Sequence, residues 1–145
     1  MSKTIIVSNR LPVKVLKSQS GELTYQPSEG GLATGLGSIY KKGNNLWIGW
    51  PGRFFKSEGK QKEAKSALSE NNMKPVFLTQ EEIKLYYEGF SNETLWPNFH
   101  YFIQNAVYRK SYWESYKSVN QKFCDAVIEV LEPGDKVGVH DYQLM

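Results

Sequence analysis

The stretch KTIIVSNR, residues 3–10, holds a three-residue apolar run, Ile5 to Val7, that stops abruptly at Ser8, Asn9 and Arg10. A short apolar run ending in polar residues is how a central strand of a parallel sheet reads, because it is buried on both faces and meets solvent only at its carboxyl end. With one lysine and so few apolar residues, the segment reads as neither a signal peptide nor a membrane span.

Outward from this strand the chain alternates between strand and helix patterns. PVKVLKSQSGELTYQPS (12–28) alternates apolar and polar residues on both sides of the turn-rich Ser18 to Gly21, which predicts a β-hairpin. In SEGGLATGLGSIYKK (28–42), glycines at 30, 31, 35 and 37 lead into Leu32, Leu36 and Ile39 at helical spacing, a glycine loop opening a helix. NNLWIGWPGR (44–53) reads as a second strand closed by Pro51 and Gly52, and the lysine-rich segment 53–72 as a solvated loop and surface helix.

KPVFLT (74–79) is a third strand candidate. Thr79 and Glu82 form a capping-box pattern, so a helix is expected to start at Gln80 and end near Gly89. The aromatic stretch FSNETLWPNFHY (90–101) is read as too short and too broken for a regular element. From 111 to 135, Tyr112, Tyr116, Val119, Phe123, Ala126, Val127 and Val130 recur at intervals of three and four, an amphipathic helix stopped by Pro133 and Gly134. DKVGVHDYQLM (135–145) is then a strand ending at His140 and Asp141. Strands and helices in alternation imply right-handed crossovers, and hence an α/β fold with a mostly parallel sheet covered by helices.

Composition narrows the class of function. With 145 residues, 40% of them hydrophobic and 14% aromatic, the chain suits one folded domain rather than a disordered segment. The formal charge of +3 comes from scattered Lys and Arg; it suits an anionic small molecule and gives no case for nucleic acid or a membrane. A single cysteine, Cys124, allows no intrachain disulfide, and no Cys/His cluster suggests a metal or cofactor site, so a reduced, cytoplasmic setting is the default. On its helix Cys124 is expected to be a buried small apolar residue, and His100 a hydrogen-bonded structural one.

Ligands of parallel sheets collect outside the carboxyl ends of the strands. Arg10 stands at one such end, where its planar fork of donors suits a phosphate and equally suits a surface ion pair. Gly30 and Gly31 would let backbone amides approach an anion, or simply make a turn. Asp141 fits sugar hydroxyls, or a structural helix cap. The rings near Tyr87 and Trp96 fit the face of a sugar phosphate, or a core.

The segments VSNRLPV, SEGGLATGL, LWIGWPG, YYEGFSNETLWPNFHY and VHDYQLM together resemble, in order and spacing, the N-terminal part of the trehalose-6-phosphate synthase family, retaining glycosyltransferases of two Rossmann-like lobes. The resemblance implies that residues 1–145 form an incomplete Rossmann-like N-terminal lobe with a β-hairpin insertion, the acceptor-binding side of an enzyme that transfers glucose from UDP-glucose to glucose 6-phosphate. It places Arg10 and Tyr87 at the acceptor phosphate, Trp96 beside the acceptor sugar, Asp141 at its hydroxyls, Gly30 and Gly31 at the donor, and Trp47 close to them. No metal or cofactor is implied; a homo-oligomer and a phosphatase domain fused downstream are left open. A non-catalytic sugar-phosphate sensor, or another retaining glycosyltransferase of the same two-lobe class, would share these features. The arginine and lysine that the family uses to stabilise the departing diphosphate lie in the second lobe. Residues 1–145 alone are therefore expected to turn over no UDP-glucose with glucose 6-phosphate, which an assay of UDP release checks.

Overall fold

The computed structural model describes residues 2–27, 44–100, 104 and 106–144. Its centre is β1 (Thr4–Arg10), in which Ile5 through Asn9 are all buried. On one side β1 pairs in parallel with β4 (Asn45–Trp50), placing Ile6 beside Trp47, and β4 pairs with β5 (Met73–Pro75). On the other side β6 (Lys136–Val139) pairs with β1, Ile5 beside Val137, so the sheet order is β5-β4-β1-β6 with every pair parallel. β2 (Val13–Lys17) and β3 (Leu23–Pro27) form the expected antiparallel hairpin as a separate sheet.

Because side chains alternate along a strand, β1 feeds two cores. Ile6 points to one face, with Trp47, Val13, Val15 and Phe55. That face is covered by the hairpin and by α1 (Glu58–Ser69), a surface helix that buries only Ala64 and Leu68 and is capped by Ser57. Ile5 and Val7 point to the other face, with Ile48 and Trp50. There they meet α2, which begins as the turn Gln80–Glu82, and α3 (Lys110–Val130), whose buried Tyr116, Val119, Phe123 and Ala126 keep the expected spacing.

Two expectations are corrected. The third strand is Met73–Pro75 rather than 74–79, because ladder pairing starts at Met73 beside Trp47 and ends at a proline, which donates no ladder bond. Helix α2 does not end near Gly89. After its capping box it widens into a π-helix over Ile83–Leu95 and returns to α-helix over Trp96–Phe99, so most of the stretch read as irregular is helical. Gly89 is interior because the ring of Tyr112 lies where a side chain would be; an added Cβ would sit 2.8 Å from two of its carbons.

The outer edge of β6 carries the exposed Val137 (41%) and Val139 (56%). With Trp113, Lys117, Cys124 and Val127 of α3 they line a recess of ≈ 720 Å³. Cys124 is thus exposed rather than buried, because it lies on the side of α3 turned from the core. The glycine loop expected at 28–42 lies outside the described residues. Among the described residues no helix is long and apolar enough to cross a membrane.

One charge cluster ties the starts of β1 and β6. The Asp135 carboxylate accepts the Lys3 ammonium at 2.6 Å, the Lys3 backbone N–H at 2.9 Å and the Glu132 N–H at 2.9 Å. The Lys3 side-chain hydrogen bond, then the Lys3 backbone N–H, hold its carboxyl well down, to about 2, against the opposing effect of desolvation. An unfolded aspartate titrates near 4. The stabilisation is therefore complete above about pH 4 and lost as pH falls through about 2. Thermal melts from pH 7 to 2 are expected to show a loss of Tm in this window that Asp135→Asn lacks, the variant being the less stable protein at pH 7.

Candidate functional site

The carboxyl ends of β1, β4 and β6 open on one side of the sheet. At the end of β1 the Arg10 guanidinium lies over Trp50, its carbon 6.0 Å from the ring centroid, a cation–π contact. Its other wall is Gly52, at φ +83°, where a Cβ would stand 2.8 Å from the guanidinium Nε and 2.9 Å from its carbon. Among the described residues no carboxylate pairs with Arg10. Trp50 in turn packs against Tyr87, ring centroids 5.6 Å apart.

The end of β6 joins this row through hydrogen bonds. The backbone N–H of Asn9 donates to Asp141 Oδ2 at 3.1 Å, and Asn9 Oδ1 accepts the Tyr86 hydroxyl at 2.7 Å. Asp141 itself is held at φ +76°, a left-handed conformation that Asp tolerates better than most residues. Next to it, the Tyr142 hydroxyl donates to Asn92 Oδ1 at 2.9 Å, and the Tyr142 ring lies 5.4 Å from that of Trp96. Trp96 is 48% exposed and also meets His100, at 3.8 Å between centroids. His100 also bonds the Trp96 carbonyl through Nδ1, as a structural residue would.

Burial raises the titration of the Tyr142 phenol, and the neighbouring Tyr87 and Asp141 add to it. Tyr86 is pushed far above the usual phenol range, first by burial, then by Tyr116, Asp141 and Tyr87. Both phenols thus stay protonated as donors. Arg10, Trp50 and Tyr87 follow one another in contact, as do Tyr142 and Trp96, and Tyr87 and Asp141 lie near enough to the Tyr142 phenol to raise its titration, which makes the two groups one row.

Residues 2–145 match glycosyltransferase family 20. The chain belongs to that family. It is 41% identical over 152 residues to the bifunctional trehalose-6-phosphate synthase/phosphatase of Thermoproteus tenax, a match covering 99% of this chain and 20% of the relative. In fold it is similar to a UDP-forming α,α-trehalose-phosphate synthase from Burkholderia vietnamiensis, with TM-score 0.74 and 31% identity over 99% of this chain and 28% of that one. The counterpart from Burkholderia xenovorans in complex with glucose 6-phosphate gives TM-score 0.71 and 28% identity over 99% and 29% of the two chains. The chain thus spans 20% to 29% of the length of these relatives. The family and the mostly parallel α/β fold with its hairpin agree with the sequence reading.

Of the residues the sequence nominates in this family 20 chain, Arg10, Tyr87, Trp96 and Asp141 come together at the carboxyl ends of the strands. Gly30 and Gly31 lie outside the described residues. Trp47 is buried on the hairpin face, and its indole N–H donates to the Ser8 hydroxyl at 2.7 Å, which itself donates to the Arg10 carbonyl at 2.7 Å, so it braces the end of β1; the two glycines it is expected to neighbour lie outside the described residues. Sequence reasoning missed Trp50, Tyr142 and Asn9. For Trp50 the signal was present, since the period of two along LWIGW sends it to the face opposite Trp47. Its indole N–H is buried and unpartnered among the described residues.

The Asp141 contact separates two substitutions. Asp141→Ala removes the acceptor for the Asn9 N–H and leaves a left-handed alanine, and is expected to cost about 1–3 kcal/mol in urea denaturation. Asp141→Asn keeps an acceptor and tolerates that backbone, and is expected within about 0.5 kcal/mol of wild type.

Proposed function

We propose that the row seats glucose 6-phosphate, and that the chain is the acceptor-binding part of the N-terminal lobe of an enzyme that transfers glucose from UDP-glucose to it, with retention, giving α,α-trehalose 6-phosphate. The observation that carries this reading is Arg10: a guanidinium with no carboxylate partner among the described residues, held in place by Trp50 and Gly52 beside a phenol. A planar cation so placed matches a phosphate, which accepts two parallel N–H donors at once. The Trp50 N–H and Tyr87 hydroxyl add donors of the neutral kind. Trp96 gives the hexose an apolar face, and the Asp141 carboxylate accepts from its hydroxyls.

In the transfer, the bond from glucose C1 to the diphosphate breaks as a bond forms from C1 to the acceptor's anomeric oxygen. That oxygen's proton leaves with the diphosphate on the same face. The chain's described residues orient the acceptor for this step. Gly30 and Gly31 are assigned to the donor side, and stabilisation of the leaving group to a second lobe. The Thermoproteus tenax relative carries synthase and phosphatase in one chain, which supports the same fusion as one form of the full-length protein, and a homo-oligomer is compatible with it. A cytoplasmic setting is assigned because Cys124 is an exposed free thiol, which a reducing compartment preserves.

Calorimetry on the full-length protein tests the reading. Arg10→Ala is expected to weaken glucose 6-phosphate binding by about 1.5–3 kcal/mol, the worth of a charged hydrogen bond, and to leave glucose binding unchanged. Trp50→Phe is expected to cost about 0.5–1.5 kcal/mol. Unaltered affinity for glucose 6-phosphate in both variants rejects the assignment.

A further inference from the structure

Tyr87 and Trp96 are nine residues apart on one helix. At about 3.6 residues per turn, nine residues make two and a half turns of α-helix and send the two side chains to opposite faces. Residues Ile83–Leu95 are instead π-helical, and the Trp96 N–H donates to the Ser91 carbonyl five residues back. At a little more than four residues per turn, nine residues close about two turns. Both rings then share one face. Tyr142 is consistent with this: its ring meets Trp96, its hydroxyl bonds Asn92, and Tyr87 is near enough to raise the titration of its phenol.

So long a π-helix is unusual, since single π turns are the common form. The contacts that hold it come from residues 107–112. The Tyr112 ring fills the space beside Gly89, and its hydroxyl donates to Glu93 at 2.9 Å. The Arg109 guanidinium lies over that ring, 5.4 Å from its centroid. The Val107 N–H donates to the Glu93 carbonyl at 2.7 Å, and the Thr94 hydroxyl donates to the Val107 carbonyl. In an α-helix the Glu93 carbonyl would look to residue 97 for its donor, and Pro97 has none. Val107 supplies that partner from outside, and in the π register the missing N–H falls to the Asn92 carbonyl instead, so Pro97 costs one helical bond in either register.

We propose that Gly89 and Tyr112 are positioning residues for the acceptor: they hold residues 83–95 in the wide register that aligns Tyr87 with Trp96. Neither lies in the row; each acts through the two rings. The proposal rests on the acceptor site argued above and adds what fixes its dimensions. It also explains why a helix carrying both rings contains a glycine in its middle.

The test measures glucose 6-phosphate and UDP affinities of the full-length protein by calorimetry, with amide hydrogen exchange over residues 83–99. Gly89→Ala forces a Cβ against Tyr112 and is expected to weaken glucose 6-phosphate at least tenfold, leave UDP within twofold and accelerate exchange across the helix. Tyr112→Phe keeps the ring and loses only the Glu93 bond; a smaller change of the same kind is expected, in a variant that retains the packing of the fold. If wild type binds glucose 6-phosphate and both variants bind it equally well, the register proposal is overturned and the acceptor site stands. Loss of both ligands in equal measure marks a merely structural role and also overturns it. A wild-type protein that binds UDP but not glucose 6-phosphate removes the acceptor site, and the positioning role with it.

Discussion

Asn9 is where three parts of the structure are tied at once. It is buried at the end of the central strand, where an unpaired amide would be costly. Its backbone N–H reaches across to Asp141, two residues after β6, and its carboxamide receives the phenol of Tyr86 from α2. Satisfying one buried residue therefore fixes where the last strand ends and at what height the helix crosses the sheet. Arg10 follows directly, so its position inherits that constraint.

The row is built on this frame from side chains that are polar at one end and apolar at the other. Trp50, Tyr87 and Tyr142 each pack a ring against a neighbour, and the Trp50 N–H is buried while the Tyr142 hydroxyl is bonded to Asn92. Such residues can line a site for a sugar phosphate without leaving the core beneath it open. The interior anchor Trp47 does the complementary task, spending its N–H on Ser8 so that the turn into Arg10 is braced from the other face.

Most of the fold was legible because its signals are local and periodic. The apolar run of β1, the alternation of the hairpin, the capping box at Thr79 and the three-four spacing of α3 each depend on residues close in sequence, and each appears where expected. The π-helix was not legible, because its evidence is tertiary. Gly89 reads as a breaker until Tyr112 is seen to occupy the space it leaves. Arg10, Tyr87, Trp96 and Asp141 were nominated through motif, and the structure places them at or near the carboxyl ends of the strands. Trp50 was not nominated, although the pleat of its strand separates it from Trp47. Cys124 was misjudged for a related reason: its neighbour Phe123 faces the core, and one step along a helix turns by about 100°.

Gly52 brings no functional atom to the molecule, yet it decides where a positive charge resides. Its backbone disfavours any other residue, and the place a side chain would take is filled by the guanidinium of Arg10. A substitution there would evict the cation while leaving every polar group in the neighbourhood chemically intact. An inventory of reactive side chains would then read as complete for a protein whose proposed anion seat had been dismantled.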